Sequence, residues 1–277
     1  MRVPSIRRSL ATASILAVTA GSLAACGDDA SGKADAGSTT TKTSASSTGT
    51  GNASAPLDKA EFVKAITTGQ VKAGSAHVDV ALAGSLKMHA KGDVDYGGGQ
   101  PSLRMTMDLA QLANKQIELR LVDGIVYVKI PRLTPAGKFV RIDPKDKSNP
   151  MSKSFGSLSD QADPLKGFQA LKSSVRTVRY VGKQDIGGTA TKHYKVTVDG
   201  AALLKATKQR SVPQMPKTVT YDMWLDQKNL LRRATFDLAG LSTVVNVTDW
   251  GKKVDVSAPP KSAQVDASSL SGAGVRS

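Results

Sequence analysis

Side chains able to do covalent or acid–base chemistry are few and scattered in this chain. Its 277 residues hold one cysteine, Cys26, and three histidines, His77, His89 and His193. A lone thiol forms no internal disulfide and cannot build a metal site unaided. The histidines stand singly, with no H-E-x-x-H, no Cys/His cluster and no G-x-S-x-G. Gly97-Gly98-Gly99 reads as a turn, because no helix start follows that would make it a phosphate cradle. Asp79, Asp93, Asp95 and Asp108 alternate with apolar residues and read as solvated strand faces, not as a metal or acid–base pair. No enzyme and no cofactor are expected.

The setting of Cys26 gives it a different role. Arg2, Arg7 and Arg8 precede an apolar run from Leu10 to Leu23, and Ala24-Ala25 lead into the cysteine. A basic start, a short apolar stretch and small residues at a cleavage site describe a secretory signal peptide. The L-A-A-C ending resembles the bacterial lipobox, which implies acylation of Cys26 and cleavage before it. The alternative is an ordinary signal with an incidental cysteine. The expectation is an exported protein held at the outer face of the cytoplasmic membrane by lipidated Cys26. Removing residues 1–25 leaves 277 − 25 = 252 residues and a formal charge of +15 − 3 = +12. Such a chain folds without disulfide support.

The elements that follow divide the chain. From Gly27 to Pro56 there is no large apolar residue, so residues 26–56 read as the lipidated cysteine and a disordered Ser/Thr/Gly tether. A flexible chain of this length reaches about 30 Å. Residues 261–277 read as a disordered tail, leaving one domain over residues 57–260. Within it the period is mostly two, as in His77-Val78-Asp79-Val80-Ala81-Leu82 and Leu103-Arg104-Met105-Thr106-Met107. Alternation of apolar and charged residues predicts antiparallel strands wetted on one side. Turn residues at Gly84-Ser85, Gly97 to Gly99, Asp123-Gly124, Gly187-Gly188 and Ala239-Gly240 predict a long meander of about ten strands. Helices are few: a capping box at Asp58 and Glu61, an Asp163-Pro164 start carrying Leu165, Phe168 and Leu171, and a short piece from Ala201 to Lys208.

Area then matters. Ten strands about 30 Å long and ~4.8 Å apart offer roughly 1,400 Å² of apolar face, while three short helices cover about 550 Å². Sheet curvature, a second layer or an apolar ligand must supply the rest. Met88, Met105, Met107 and Met223 sit at inward strand positions, either as flexible contacts for an irregular apolar partner or as ordinary core filler.

The net charge of +15 raises the question of nucleic acid, but the basic residues lack aromatic interleaving and are mixed with acids. No nucleic-acid partner is expected. Lys129, Arg132, Lys138, Arg141, Lys145, Lys147 and Lys153 form the densest basic stretch. It suits an anionic envelope surface, or serves solubility alone.

Three segments carry a resemblance: D-G-I-V-Y-V-K-I (123–130) with G-K-F-V-R-I-D (137–143), V-T-Y-D-M-W-L-D-Q-K-N-L-L-R-R-A-T-F-D-L (219–238), and V-N-V-T-D-W-G-K-K-V-D-V-S-A-P-P (245–260). With the lipobox and tether, their order resembles the actinobacterial LppX/LprG-type (LppX_LprAFG) lipoproteins. The resemblance implies an α+β fold like that of the LolA/LolB carriers. In it a single, strongly curved antiparallel half-barrel has helices over its concave apolar face. It also implies an acylated lipid or glycolipid ligand, transfer of that ligand across the cell envelope, the cell membrane as a second partner, and a membrane exporter beside some members. The cavity lining it implies here is Val78, Val80, Leu82, Leu86 and Met88, then Leu103, Met105, Met107, Ile117, Leu119 and Leu121. Val126, Val128, Val196, Val198, Tyr221 and Met223 complete the strands, with Phe168 and Leu171 on a covering helix. The competing expectation is an envelope sensor or docking lipoprotein that binds a protein instead of carrying lipid.

Overall fold

The computed structural model describes residues 56–97, 100–110, 116–146, 152, 170, 172–206, 215–238 and 240–266. Cys26, the signal peptide, all of the tether before Pro56, the tail beyond residue 266, Phe168 and Leu171 lie outside these residues. Helix α1 (Lys59–Ala73) opens with the expected capping box. The Asp58 carboxylate accepts from Glu61 N at 2.8 Å, and Glu61 accepts from Asp58 N at 3.2 Å. Two donors that the first turn leaves without helical partners are thereby satisfied. Gly74, at φ +79°, ends the helix in the left-handed conformation that glycine adopts without strain.

Twelve strands form one sheet. Strands β1 (Ser75–Gly84), β2 (Met88–Asp95), β3 (Ser102–Leu109), β4 (Gln116–Val122), β5 (Ile125–Lys129) and β6 (Phe139–Ile142) form a first meander. Strands β7 (Val175–Ile186) and β8 (Thr189–Asp199), helix α2 (Gly200–Ala206), then β9 (Thr218–Asp226), β10 (Leu231–Leu238) and β11 (Leu241–Thr248) form a second. A 3-10 turn (Lys261–Ala263) leads to β12 (Gln264–Asp266). Strand order is β12-β6-β5-β4-β3-β2-β1-β11-β10-β9-β8-β7. Asp123-Gly124 and Gly187-Gly188 all have positive φ, which closes two of the hairpins tightly.

Several expectations change. The sheet has twelve strands, not about ten, and it is mixed: β12 runs parallel to β6. Residues 261–266, expected as the start of a disordered tail, instead turn and add that edge strand. The single meander becomes two, joined by β1 against β11. The strongly curved half-barrel is not what forms: the sheet is not strongly curled, and β12 and β7 remain its separate edges. Bulges are what bend a sheet sharply. Register shifts occur only in the β7–β8 and β9–β10 pairings, and the β1–β6 half keeps continuous register.

Two faces result. One carries Val80, Ala90, Leu121, Val128, Val140, Tyr194, Val196 and Val245, all buried, and receives Phe62, Val63 and Ile66 of α1. The Phe62 and Tyr194 rings lie 4.9 Å apart, and the Tyr194 hydroxyl accepts from Leu57 N at 3.1 Å. The other face is polar. No helix among the described residues is long and apolar enough to cross a membrane.

Candidate functional site

Register brings the expected apolar positions onto one face. Across the middle of the sheet a row runs Val247, Val78, Gly92, Met105, Leu119, Val128 and Val140, each opposite the next. The neighbouring row runs Val245, Val80, Ala90, Met107 and Ile117. Leu103 faces Leu121, which faces Val126 and then Ile142. In the second meander Val198 faces Val219, Val196 faces Tyr221, and Tyr194 faces Met223. Every expected strand residue that the structure describes therefore shares this face. Leu86 is the exception in local structure: it lies in the turn before β2, half-buried.

Two small residues of β2 interrupt the rows. Ala90 and Gly92 stand between Val78 and Val80 on one side and Met105 and Met107 on the other, so β2 forms a low trough in the apolar face. Gly92 is required by close packing, since a Cβ there would meet the Arg104 carbonyl oxygen at 1.9 Å. Burial varies along the trough. Val94 is 8% exposed and Leu121 and Val126 fully buried, whereas Val78, Gly92, Met105 and Met88 are only half-buried. Half-buried apolar side chains beside a residue without one, Gly92, are positions where an apolar chain could lie.

Sequence reasoning missed Tyr194, Ala90 and Gly92. Tyr194 was legible, being two residues before Val196 on the same face. Burial raises the pKa of its phenol, pushes that of Tyr221 well up, and pushes that of Tyr96 to about 12. These groups stay neutral at any physiological pH and act as hydrogen-bonding apolar surface.

The polar face holds every histidine against an aspartate. His77 Nδ1 lies 2.8 Å from Asp93, His89 Nε2 2.9 Å from Asp79, and His193 Nε2 2.7 Å from Asp222. His193 also stacks on Trp224 at 4.5 Å, and the indole N–H donates to Gln184. Glu118 gathers Arg120 and Lys129 at 2.6 and 2.7 Å, and both cations lie over the Phe139 ring. Burial opposes ionisation of Glu118, but the hydrogen bonds and charges of Lys129 and Arg120 outweigh it and hold the carboxyl below its usual range. Among the described residues no group of three or more His, Cys, Asp or Glu could hold a metal ion. Acids and histidines here cross-link strands.

An open sheet with one apolar, helix-covered face and one salt-bridged face is a scaffold for apolar contact, and its polar pairs are structural. The chain belongs to the LppX_LprAFG lipoprotein family, whose profile matches residues 58–256. Lipoproteins are exported and membrane-anchored. Among solved structures it resembles LppX of Mycobacterium tuberculosis, with a TM-score of 0.51 and 18% identity over 72% of this chain and 100% of that one. LprF of Mycobacterium bovis is similar at a TM-score of 0.50 and 18% identity, over 72% and 95%. These likenesses concern fold. An uncharacterized 31.2 kDa protein of the rplA-rplJ intergenic region in Streptomyces griseus is 28% identical over 146 residues, 46% of this chain. The match spans only 48% of that curated relative.

Proposed function

We propose that this lipoprotein binds an acylated lipid or glycolipid against the apolar face and helps transfer it across the cell envelope, working from the outer face of the cytoplasmic membrane where Cys26 anchors it. The observation that carries this reading is the trough along β2. Gly92, which has no side chain, stands between Val78 and Met105, and all three are half-buried, whereas Ala90 between Val80 and Met107 is covered. Each ligand methylene buried is worth about 0.8 kcal/mol, so a single long acyl chain contributes on the order of 10 kcal/mol before the losses of association. Thioethers beside the trough adapt to chains of different shape. The lining expected from the sequence is the candidate contact set, with Tyr194, Ala90 and Gly92 added. The reaction class is carriage, with no covalent step.

Native mass spectrometry of the exported protein, followed by solvent extraction, tests this. A stoichiometric lipid adduct released on denaturation is the expected result. A mass free of adduct after incubation with envelope lipids would overturn it and favour a protein-docking role.

A further inference from the structure

Buried polar side chains in this fold are almost all bonded. Among those described, the hydroxyls of Thr67, Ser75, Ser152, Ser174 and Thr191 each donate to a backbone carbonyl, and Asp226 is held by Arg232. Thr243, 1% exposed, is the exception. Its hydroxyl has no hydrogen-bond partner among the described residues.

Register places Thr243 on the apolar face, in one row with a second such group. Thr243 lies opposite Phe236 of β10 and Leu82 of β1, and the Phe236 ring packs 5.3 Å from that of Tyr221 on β9. Tyr221 in turn faces Val196 on β8. It is 4% exposed, and its phenol likewise has no hydrogen-bond partner among the described residues. Tyr194, one row away on the same face, shows the contrast, because its hydroxyl accepts from Leu57 N. Burial alone accounts for the upward pKa shift of Tyr221, whereas that hydrogen bond offsets part of the shift of Tyr194.

A hydroxyl cut off from water without a partner costs free energy, and each such group calls for a reason. Apolar packing does not supply one. Val245 and Val247 continue the face of β11 from Thr243, and a third valine would fill the place without that cost. A trapped water does not supply one either. Buried waters make about three hydrogen bonds, but the neighbours across the strands, Val196, Phe236 and Leu82, are apolar, and the strand backbone is committed to the ladder.

The missing partner has a definite chemistry. Both hydroxyls can donate, so it is an acceptor. It is also uncharged: the adjoining rows hold Tyr194, Met223, Ala234 and Val245 on one side and Val198, Val219, Leu238 and Leu241 on the other, with no charged side chain among them. A carboxylate or phosphate would be buried there without a counter-charge. An ester carbonyl is a neutral acceptor, and it stands where an acyl chain joins the rest of its lipid.

We propose that Tyr221 and Thr243 donate hydrogen bonds to ester carbonyls of the bound acylated ligand, so that the apolar face recognises how the chains are linked as well as the hydrocarbon itself. This selectivity rests on the lipid-binding reading and refines it to ester-linked chains. In the test, the acylated full chain in detergent is offered equimolar dipalmitoylglycerol and its dihexadecyl ether analogue, which lacks both carbonyls. Native mass spectrometry compares the two adducts. The expected ester-to-ether ratio is roughly ten. Tyr221→Phe with Thr243→Val should bring it to about one, and the ligand-free Tm of that variant should equal or exceed the wild-type value, because unpartnered hydroxyls are removed. A ratio near unity in the wild type, or an unchanged ratio in the variant, overturns the proposal while leaving lipid binding in place. A lower Tm overturns it as well, by showing that the hydroxyls are already bonded inside the folded protein. Absence of both adducts overturns this inference and the lipid-binding reading together.

Discussion

Replacing Met105 by glutamate places a charge in the apolar trough without placing one in the sealed core. Met105 faces Gly92 on β2 and Leu119 on β4, and it is half-buried. Because Met105 is only half-buried, the new carboxylate keeps contact with water in the ligand-free protein, so the fold persists. A bound acyl chain would remove that water. Leaving an unpaired charge buried costs about 3–5 kcal/mol, which corresponds to a loss of roughly two to four orders of magnitude in affinity. The effect is pH-dependent with a definite sign: glutamate titrates near ~4.3, so retention returns as pH falls below that value. The assay is bound lipid per protein by native mass spectrometry at neutral and acid pH, with near-ultraviolet circular dichroism reporting the fold. Met105→Leu, of similar volume, should retain lipid. Met107→Glu differs, because Met107 is 5% exposed and lies between Ala90 and Ile117. That variant should fail to fold, and Leu119→Glu, also 5% exposed, should behave alike. Full lipid retention by natively folded Met105→Glu at neutral pH would show that the trough is not the contact surface.

Other outcomes follow from single contacts. Phe62→Ala removes a fully buried ring tilted against that of Tyr194; the expected loss is about 3–5 kcal/mol, read as a fall in Tm of roughly 6–20 °C for a domain of this size. Glu118→Gln should cost about 1–3 kcal/mol at neutral pH in urea denaturation. Because the folded-state pKa of Glu118 is depressed, its contribution is present above the unfolded-state value and lost as pH falls through the folded one. The difference between wild type and variant should therefore vanish in acid, and a constant difference would refute the assignment. Gly92→Val should destabilise the sheet by more than Ala90→Val, since only the former collides with backbone, at the Arg104 carbonyl; equal melting temperatures would contradict the close approach.

What could be read in advance was local. The Asp58/Glu61 capping box is four residues of hydrogen-bond chemistry, and it set the start of α1 wherever that helix packs. Period-two alternation assigned Val78, Met105, Leu119 and Val196 to one face, because a side chain's face depends only on its own strand. The Asp123-Gly124 and Gly187-Gly188 hairpins were legible from the positive φ their turns need. Gly92, in contrast, reads only as a glycine within a strand until β3 is known to press against it.

By itself, then, the sequence showed a basic and then apolar start ending in L-A-A-C, a chain of amphipathic strands, and none of the H-E-x-x-H, Cys/His-cluster or G-x-S-x-G motifs. Tertiary structure decided which distant strands met. The pairing of β1 with β11 joins residues about 160 apart along the chain, and β12 returns to β6 across about 125. No local pattern encodes such partners, because one apolar strand edge hydrogen-bonds as well as another until packing and loop closure choose between them. The same choice set Ala90 and Gly92 between larger neighbours on β1 and β3. The trough exists only once the strands are in register.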